Sequence, residues 1–100
     1  MVKHIILWNL KEEYSQTEKQ DIMKKIKQEL EGLYGKIDGL LEIKVQITSL
    51  ASSTADLMLD STFESESALK AYAVHPEHVK VADNFVRPHT AIRSCLDFEV

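Results

Sequence analysis

The strand-like segment at the start of the chain constrains the fold most. Residues 2–10, VKHIILWNL, are rich in β-branched and aromatic side chains, which is typical of a β-strand. Because side chains alternate along a strand, His4, Ile6 and Trp8 share one face, and the isoleucine and leucine between them share the other. Both faces are therefore apolar, which indicates a strand that is covered on two sides.

The next segments predict one helix and two strands. The capping-box sequence SQTE at 15–18 starts an amphipathic helix of about 18 residues, because apolar residues recur at helical spacing after it. The segment LLEIKVQIT alternates, so we expect a half-buried strand with Leu41, Ile43, Val45 and Ile47 on its inner face. The segment ADLMLDSTF predicts a third strand.

The second half of the chain predicts a divided helical section and a final strand. Helical spacing resumes over 64–74, stops at Pro76, and continues to the Arg87-Pro88 pair. The closing strand, TAIRSCLDFEV, places apolar residues on one face and Arg93, Cys95 and Asp97 on the other. The order β-α-β-β-α-β in residues 1–100 predicts a single α+β domain with a four-stranded antiparallel sheet and helices on one face.

The second face of this sheet would be a large apolar patch in water. A second copy of the chain is the simplest cover, because two-fold dimers are the commonest oligomers. We therefore expect a homodimer whose two sheets lie face to face. We also expect the dimer to enclose a cavity, and we expect the turn at Pro76, with Tyr72, His75 and His78, to point into it.

Composition excludes several classes of partner. The net charge is −4 and the basic residues are scattered, so the sequence offers no cluster of positive charge that nucleic acid could bind. The apolar run IILW is too short for a signal-peptide core or a membrane span. The lone Cys95 fits a reducing compartment, and we expect it to be buried and inert. These features indicate a soluble, cytoplasmic protein that does not bind membranes.

The stretch AYAVHPEHVK carries the chemically suggestive residues. On one continuous helix, Tyr72 and His78 would lie about 240° apart, but a break at Pro76 allows them to converge. A neutral His78 would be a proton acceptor, and the Tyr72 hydroxyl would position the base or a substrate oxygen. The competing interpretation is structural: Tyr72 is a core ring, His75 terminates a helix, and His4 is a satisfied core histidine.

A metal site is the third interpretation of this stretch. His75 and His78 have conceivable ligand spacing, but Pro76 breaks the helix that would align them. The metalloprotease pattern of two histidines four residues apart with an intervening glutamate is absent. We therefore expect no metal and no other cofactor.

Taken together, VKHIILWNL, STFESESALKAYAVHPEHV and the closing LDFEV resemble the stress-responsive α/β-barrel (Dabb) domain family from Val2 to Val100. The resemblance implies a ferredoxin-like, dimeric α/β barrel. The family includes a cofactor-independent plant polyketide cyclase, whose tyrosine–histidine catalytic pair matches Tyr72 and His78. Its first-strand histidine matches His4.

The resemblance implies an apolar pocket beside the catalytic pair. Its expected ligand-binding residues are His4, Ile6, Trp8, Leu57, Leu59 and His75. Three functions are considered. A pocket of this kind predicts either cyclase-like or lyase-like acid–base chemistry on a small apolar or aromatic carbonyl compound, or non-catalytic binding of a small hydrophobic ligand. If the rings only fill the barrel, the function is a structural role in stress.

Overall fold

The structure, a computed structural model, describes all 100 residues. They form four strands, three α-helices and two short helical turns. In chain order these are β1 (Val2–Leu10), α1 (Gln16–Glu31), β2 (Leu40–Gln46), β3 (Leu57–Phe63), α2 (Glu66–Val74), α3 (Pro76–Val81), a π-turn (Ala82–Val86), a 3-10 turn (Arg87–His89) and β4 (Thr90–Glu99). No helix is both long enough and apolar enough to cross a bilayer.

β1 lies inside the sheet, whose strand order is β2-β3-β1-β4 with every neighbour antiparallel. Residues directly opposite each other on paired strands point to the same face. His4 lies opposite Asp97, and Ile6 lies opposite Cys95. Because His4 and Ile6 are buried on the face that packs against the helices, the polar side of β4 also faces the helices. The predicted ferredoxin-like α+β fold is confirmed.

The core lies between the sheet and the helices. The buried face of α1, formed by Met23, Ile26 and Leu30, joins the inward side chains of the strands in one apolar cluster. The predicted capping box is present at the start of α1: the Glu18 backbone N–H donates to the Ser15 hydroxyl at 3.1 Å, and the Ser15 N–H donates to the Glu18 carboxylate at 2.9 Å. The helix α1 therefore begins directly after Ser15, where the capping-box sequence predicts it.

The inner face of β2 differs from the prediction at one residue. Leu41 is 41% exposed, whereas Ile43 and Val45 are buried as expected. The pairing with β3 shifts register between Leu40 and Glu42, so Leu40 takes the core position and Leu41 turns outward. A bulge of this kind adds one residue to a strand and breaks the simple alternation.

The free edge of β2 is closed by side chains of α1. Glu31 accepts a hydrogen bond from the Val45 N–H at 2.9 Å, and Lys27 donates to the Val45 carbonyl at 2.8 Å. Lys27 and Glu31 also pair with each other at 2.7 Å. The backbone groups of Val45 that a further strand would use are therefore already bonded.

The break at Pro76 divides the second helical section as predicted. His75 has an extended conformation and ends α2, while Pro76 is the first residue of α3. The imidazole of His75 accepts from the Glu77 backbone N–H at 3.1 Å, which caps α3. After Val81 the helix widens into the π-turn and then tightens into the 3-10 turn, which the sequence pattern did not predict.

The face of the sheet that points away from the helices carries an apolar patch that is uncovered in the single chain. Ile5 and Leu7 of β1 lie on it with Leu96 and Phe98 of β4. Leu96 is 63% exposed and Phe98 is 41% exposed. We call this surface the back face. An apolar patch that is exposed in the single chain is what we expect if a second copy covers it in a dimer.

Two glycines with similar backbone angles provide a matched stability test. Gly35 and Gly39 have φ of 84° and 83°, a region that strains any residue with a Cβ. An added Cβ at Gly39 would lie 2.5 Å from the Ala68 Cβ, whereas nothing lies within 4 Å at Gly35. We expect Gly39→Ala to reduce the free energy of unfolding by about 1–3 kcal/mol more than Gly35→Ala in urea titrations. Equal losses would contradict a steric role for Gly39.

Candidate functional site

A cavity of about 750 Å³ lies between the sheet and the second helical section. β1, β3 and β4 supply its floor, while α2, α3 and the turns that follow supply its roof. Apolar side chains predominate in its wall, and charged ones stand among them. The lining residues include His4, Ile6, Trp8, Leu59, Tyr72, His78, Arg87, Arg93, Cys95 and Asp97.

Tyr72 points from α2 into this region and is 1% exposed. Its ring packs against Phe63, with 4.9 Å between ring centroids, and against His4 at 6.2 Å. The hydroxyl is buried and has no hydrogen-bond partner in the protein. Burial raises the pKa of the Tyr72 phenol, so the group stays neutral and remains a hydrogen-bond donor.

The Pro76 break brings His78 against Tyr72, with 4.1 Å between ring centroids and 33° between ring planes. The His78 Nδ1 lies 3.3 Å from the Ala73 carbonyl oxygen. Since a carbonyl can only accept, Nδ1 carries the proton and Nε2 keeps the lone pair in the neutral ring.

The environment of His78 favours its neutral form. Burial lowers the pKa of His78, and the positive charges of Arg87 and Arg93 and the nearby His4 act in the same direction. The bond to the Ala73 carbonyl opposes this shift only in part. His78 therefore has the protonation state and tautomer that a general base requires.

His4 lies beside this pair on β1 and is buried. Its Nδ1 is hydrogen-bonded to the Asp97 carboxylate across the strand pair. This contact holds the imidazole in one orientation, because the carboxylate accepts from Nδ1. His4 is thus a satisfied buried histidine, and it also lines the cavity.

The structure brings together six of the eight residues expected at the pocket: His4, Ile6, Trp8, Leu59, Tyr72 and His78. The other two lie outside the cavity. Leu57 is buried at the far end of β3, opposite Trp8, in the closely packed part of the core. His75 caps α3, so its ring is turned to the backbone rather than to the cavity.

The cavity is not where it was expected. It lies within one chain, on the helix-covered face that carries His4, Ile6 and Tyr72. The back face, which a second copy was expected to shelter, is on the opposite side of the sheet. The reason is the register of β1, whose odd-numbered residues face away from the helices.

The expectation that Cys95 is buried is wrong. The residue is exposed, because β4 is an edge strand with little packed over its inner face. The Cys95 Sγ lies 3.8 Å from the His4 Nδ1 and 3.5 Å from the Asp97 Oδ1. Partial burial and the negative charge of Asp97 raise the pKa of the Cys95 thiol. Because thiol and carboxylate approach the same ring nitrogen, the three residues do not form a nucleophilic triad.

The cavity residues of β4 were missed at the sequence level. Alternation correctly grouped Arg93, Cys95 and Asp97 on one face of the last strand. It did not reveal which face the helices cover. The pairing of β1 with β4 determines which face of β4 the helices cover, since it places Asp97 opposite the buried His4.

The sequence matches the model of the Stress responsive A/B Barrel Domain family over residues 2–100. The chain belongs to this family. A dimeric protein of unknown function and ferredoxin-like fold from Bacteroides fragilis is 32% identical to it. That structure superposes with a TM-score of 0.91, and the match covers 99% of this chain and 95% of the relative. No curated protein matches the sequence.

Two more distant structures share the fold of this A/B barrel chain. A dimeric ferredoxin-like protein of unknown function from Thermobifida fusca is 21% identical, with a TM-score of 0.83 and coverage of 99% of this chain and 90% of its own. A hydroxynitrile lyase from Passiflora edulis is 19% identical, with a TM-score of 0.77 and coverage of 97% and 90%. The same architecture therefore occurs in an enzyme and in proteins without an assigned activity.

Proposed function

We propose that this protein catalyses proton transfer on a small apolar or aromatic carbonyl compound, without a cofactor. One observation carries the proposal: Tyr72 lines the cavity beside the ring of His78, and its buried hydroxyl has no protein partner. A buried hydroxyl without a partner is costly, and a substrate oxygen would satisfy it. A neutral donor beside a neutral base is a suitable arrangement for acid–base chemistry.

The reaction step assigns one role to each side chain. His78 Nε2 removes a proton from the carbon next to the carbonyl, and the C–H electron pair forms the C=C bond of an enolate. The Tyr72 hydroxyl donates a hydrogen bond to the enolate oxygen, where negative charge develops. His78 then exchanges this proton with solvent and returns a solvent-derived proton to the carbon, which completes the exchange. His4, held by Asp97, orients the ligand.

Similarity to the Passiflora edulis protein supports this class of chemistry. That protein is a hydroxynitrile lyase, an enzyme that by its name acts on a hydroxynitrile. Cleavage of a hydroxynitrile to a carbonyl compound also begins with removal of a proton by a base. Fold similarity alone does not transfer an activity, so the proposal depends on the Tyr72–His78 geometry.

Hydrogen–deuterium exchange tests the proposal without knowledge of the natural substrate. Acetophenone in D₂O is incubated with the protein, and loss of its methyl proton signal is followed by NMR. We expect exchange faster than in buffer of the same pH. A panel of small aryl and alkyl ketones that all exchange at the buffer rate would reject the catalytic function.

Non-catalytic binding is the second candidate, because the cavity wall has Ile6, Trp8 and Leu59 as apolar floor residues. A cavity of this size matches a small ligand with few polar groups. Trp8 fluorescence measures occupancy independently of any reaction. Saturable quenching by ketones that do not exchange would favour a binding protein over an enzyme.

The pH profile of the exchange reaction provides a separate prediction. Neutral His78 is the active form, and its pKa is lowered from 6.5 by burial and by Arg87, His4 and Arg93. We therefore expect the background-corrected rate to be constant at neutral pH and to fall only as pH drops through the lowered value. The midpoint should lie below pH 6.5. A midpoint at or above pH 6.5 would contradict a buried base.

We also propose that the chain is a homodimer in solution, joined through the back face. The uncovered Leu96 and Phe98 and the dimeric state of the Bacteroides fragilis relative support this. Light scattering is expected to give twice the 11.4 kDa chain mass. Leu96→Glu should shift the mass toward one chain, whereas Leu50→Glu, on an exposed loop, should leave it unchanged. A monomeric wild type would refute the proposal.

A cytoplasmic location is the last part of this proposal. The exposed thiol of Cys95 supports it, because a reducing compartment keeps such a group free. Fractionation of the native cells, with the thiol titrated under non-reducing conditions, provides the measurement. Recovery of the thiol in oxidised form from an extracellular fraction would contradict it.

A further inference from the structure

The cluster formed by His4, Cys95 and Asp97 has a use beyond that of the Tyr72–His78 pair. Each residue offers one ligand atom, and the three atoms lie within 4.8 Å of one another. We propose that this cluster binds a zinc ion through His4 Nδ1, Cys95 Sγ and Asp97 Oδ1. Imidazole nitrogen, thiolate sulfur and carboxylate oxygen are the three ligand types that zinc uses in proteins.

The ligand separations fit a tetrahedral ion. Bonds of about 2.3 Å to sulfur and about 2.1 Å to nitrogen or oxygen place the sulfur about 3.6 Å from each of the other ligands. The observed separations are 3.8 Å from Cys95 Sγ to His4 Nδ1 and 3.5 Å to Asp97 Oδ1. Only the hydrogen-bonded contact between His4 and Asp97 must open, and small side-chain rotations achieve this.

The backbone already holds the ligands in place. His4 lies directly opposite Asp97, and Cys95 is two residues away on the same face of β4. Paired strands hold such positions more rigidly than a loop does. The three side chains point toward the helices and the cavity, so a dimer formed through the back face would leave them accessible.

The charges balance when zinc binds. The Cys95 thiol loses its proton to solvent, and the neutral His4 ring changes tautomer through solvent, so that its one proton is on Nε2 and Nδ1 binds the metal. Zinc with one thiolate and one carboxylate has no net charge. Arg93, which lies two residues from Cys95 and lines the same cavity, therefore faces a neutral centre rather than a cation.

Three protein ligands leave a fourth position for water or another small ligand, as in catalytic zinc sites. The cavity wall contains all three ligands, so this position is open to molecules in the cavity. The zinc site does not depend on the Tyr72–His78 pair, because neither residue is a ligand. It shares His4 and Asp97 with the proton-transfer proposal, in which they orient the substrate.

Cobalt titration tests the site directly, because Co²⁺ substitutes for zinc and is coloured. Chelator-treated, reduced protein is titrated with CoCl₂ and then with ZnCl₂. We expect one equivalent per chain, the intense visible bands of four-coordinate cobalt, a near-ultraviolet sulfur-to-cobalt band, and displacement of both by zinc. Cys95→Ser should abolish the sulfur-to-cobalt band, and Asp97→Asn should weaken zinc binding at least tenfold.

Glu99→Gln is the matched control, because Glu99 is the next residue on the same face of β4 and lies outside the cluster. It should bind cobalt and zinc as the wild type does, and so should His78→Ala. Zinc should raise the melting temperature of the wild type but not of Cys95→Ser. Absence of binding by the wild type, a six-coordinate spectrum without the sulfur band, or equal affinity in Cys95→Ser would overturn the zinc site.

Discussion

Replacing His78 with alanine is expected to slow ketone exchange by about 10²–10⁴-fold, the usual contribution of a general base. The physical reason is the arrangement of the neutral ring: Nδ1 is bonded to the Ala73 carbonyl, and Nε2 has the free lone pair beside Tyr72. Exchange is measured by NMR at pH 7.5, where the wild-type base is neutral.

His75→Ala is the matched control for this substitution. Both histidines belong to the same turn, but His75 caps α3 and lies outside the cavity. We expect His75→Ala to keep the exchange rate within about threefold while costing about 1 kcal/mol of stability through the lost cap. Melting curves must show that His78→Ala is folded at the assay temperature. Equal exchange in the wild type and a folded His78→Ala variant would eliminate His78 as the base.

Phe63→Ala is expected to produce the largest loss of stability, about 3–5 kcal/mol of unfolding free energy. Phe63 has no exposed surface and packs at 4.9 Å against the ring of Tyr72 and at 6.2 Å against that of His4. Its removal leaves a cavity under both site residues. Since small domains have only about 5–15 kcal/mol of stability in total, the variant would be close to unfolding.

Urea denaturation followed by circular dichroism measures this loss, and Tyr34→Ala is the control. Tyr34 is also aromatic but is 65% exposed in the turn after α1. Surface substitutions of this kind change stability by about 0.5 kcal/mol or less. Comparable losses in the two variants would mean that the packing around Tyr72 does not stabilise the fold.

The features predicted correctly from sequence are those that depend on local chemistry. The capping box at Ser15 determines where α1 begins, and Pro76 determines where α2 must stop. The break at Pro76 was expected to allow Tyr72 and His78 to converge, and their ring centroids lie 4.1 Å apart. Their chemical role remains a prediction.

The features missed depend on how distant segments pair. Leu41 alternates correctly with Ile43, but the shifted register with β3 moves it outward, and no residue type marks that bulge. Cys95 was expected to be buried, yet it is exposed because β4 is the outermost strand. The cavity lies on the helix side for the same reason, because the pairing partners of β1 determine which face is covered.

The side-chain closure of β2 also limits how the protein can aggregate. Fibril growth by strand addition requires an unpaired edge on both sides of the incoming sheet. On one side of this sheet, Lys27 and Glu31 already hold the backbone groups of Val45. An incoming strand would have to displace these bonds at Val45, so strand addition is disfavoured at this point of the β2 edge.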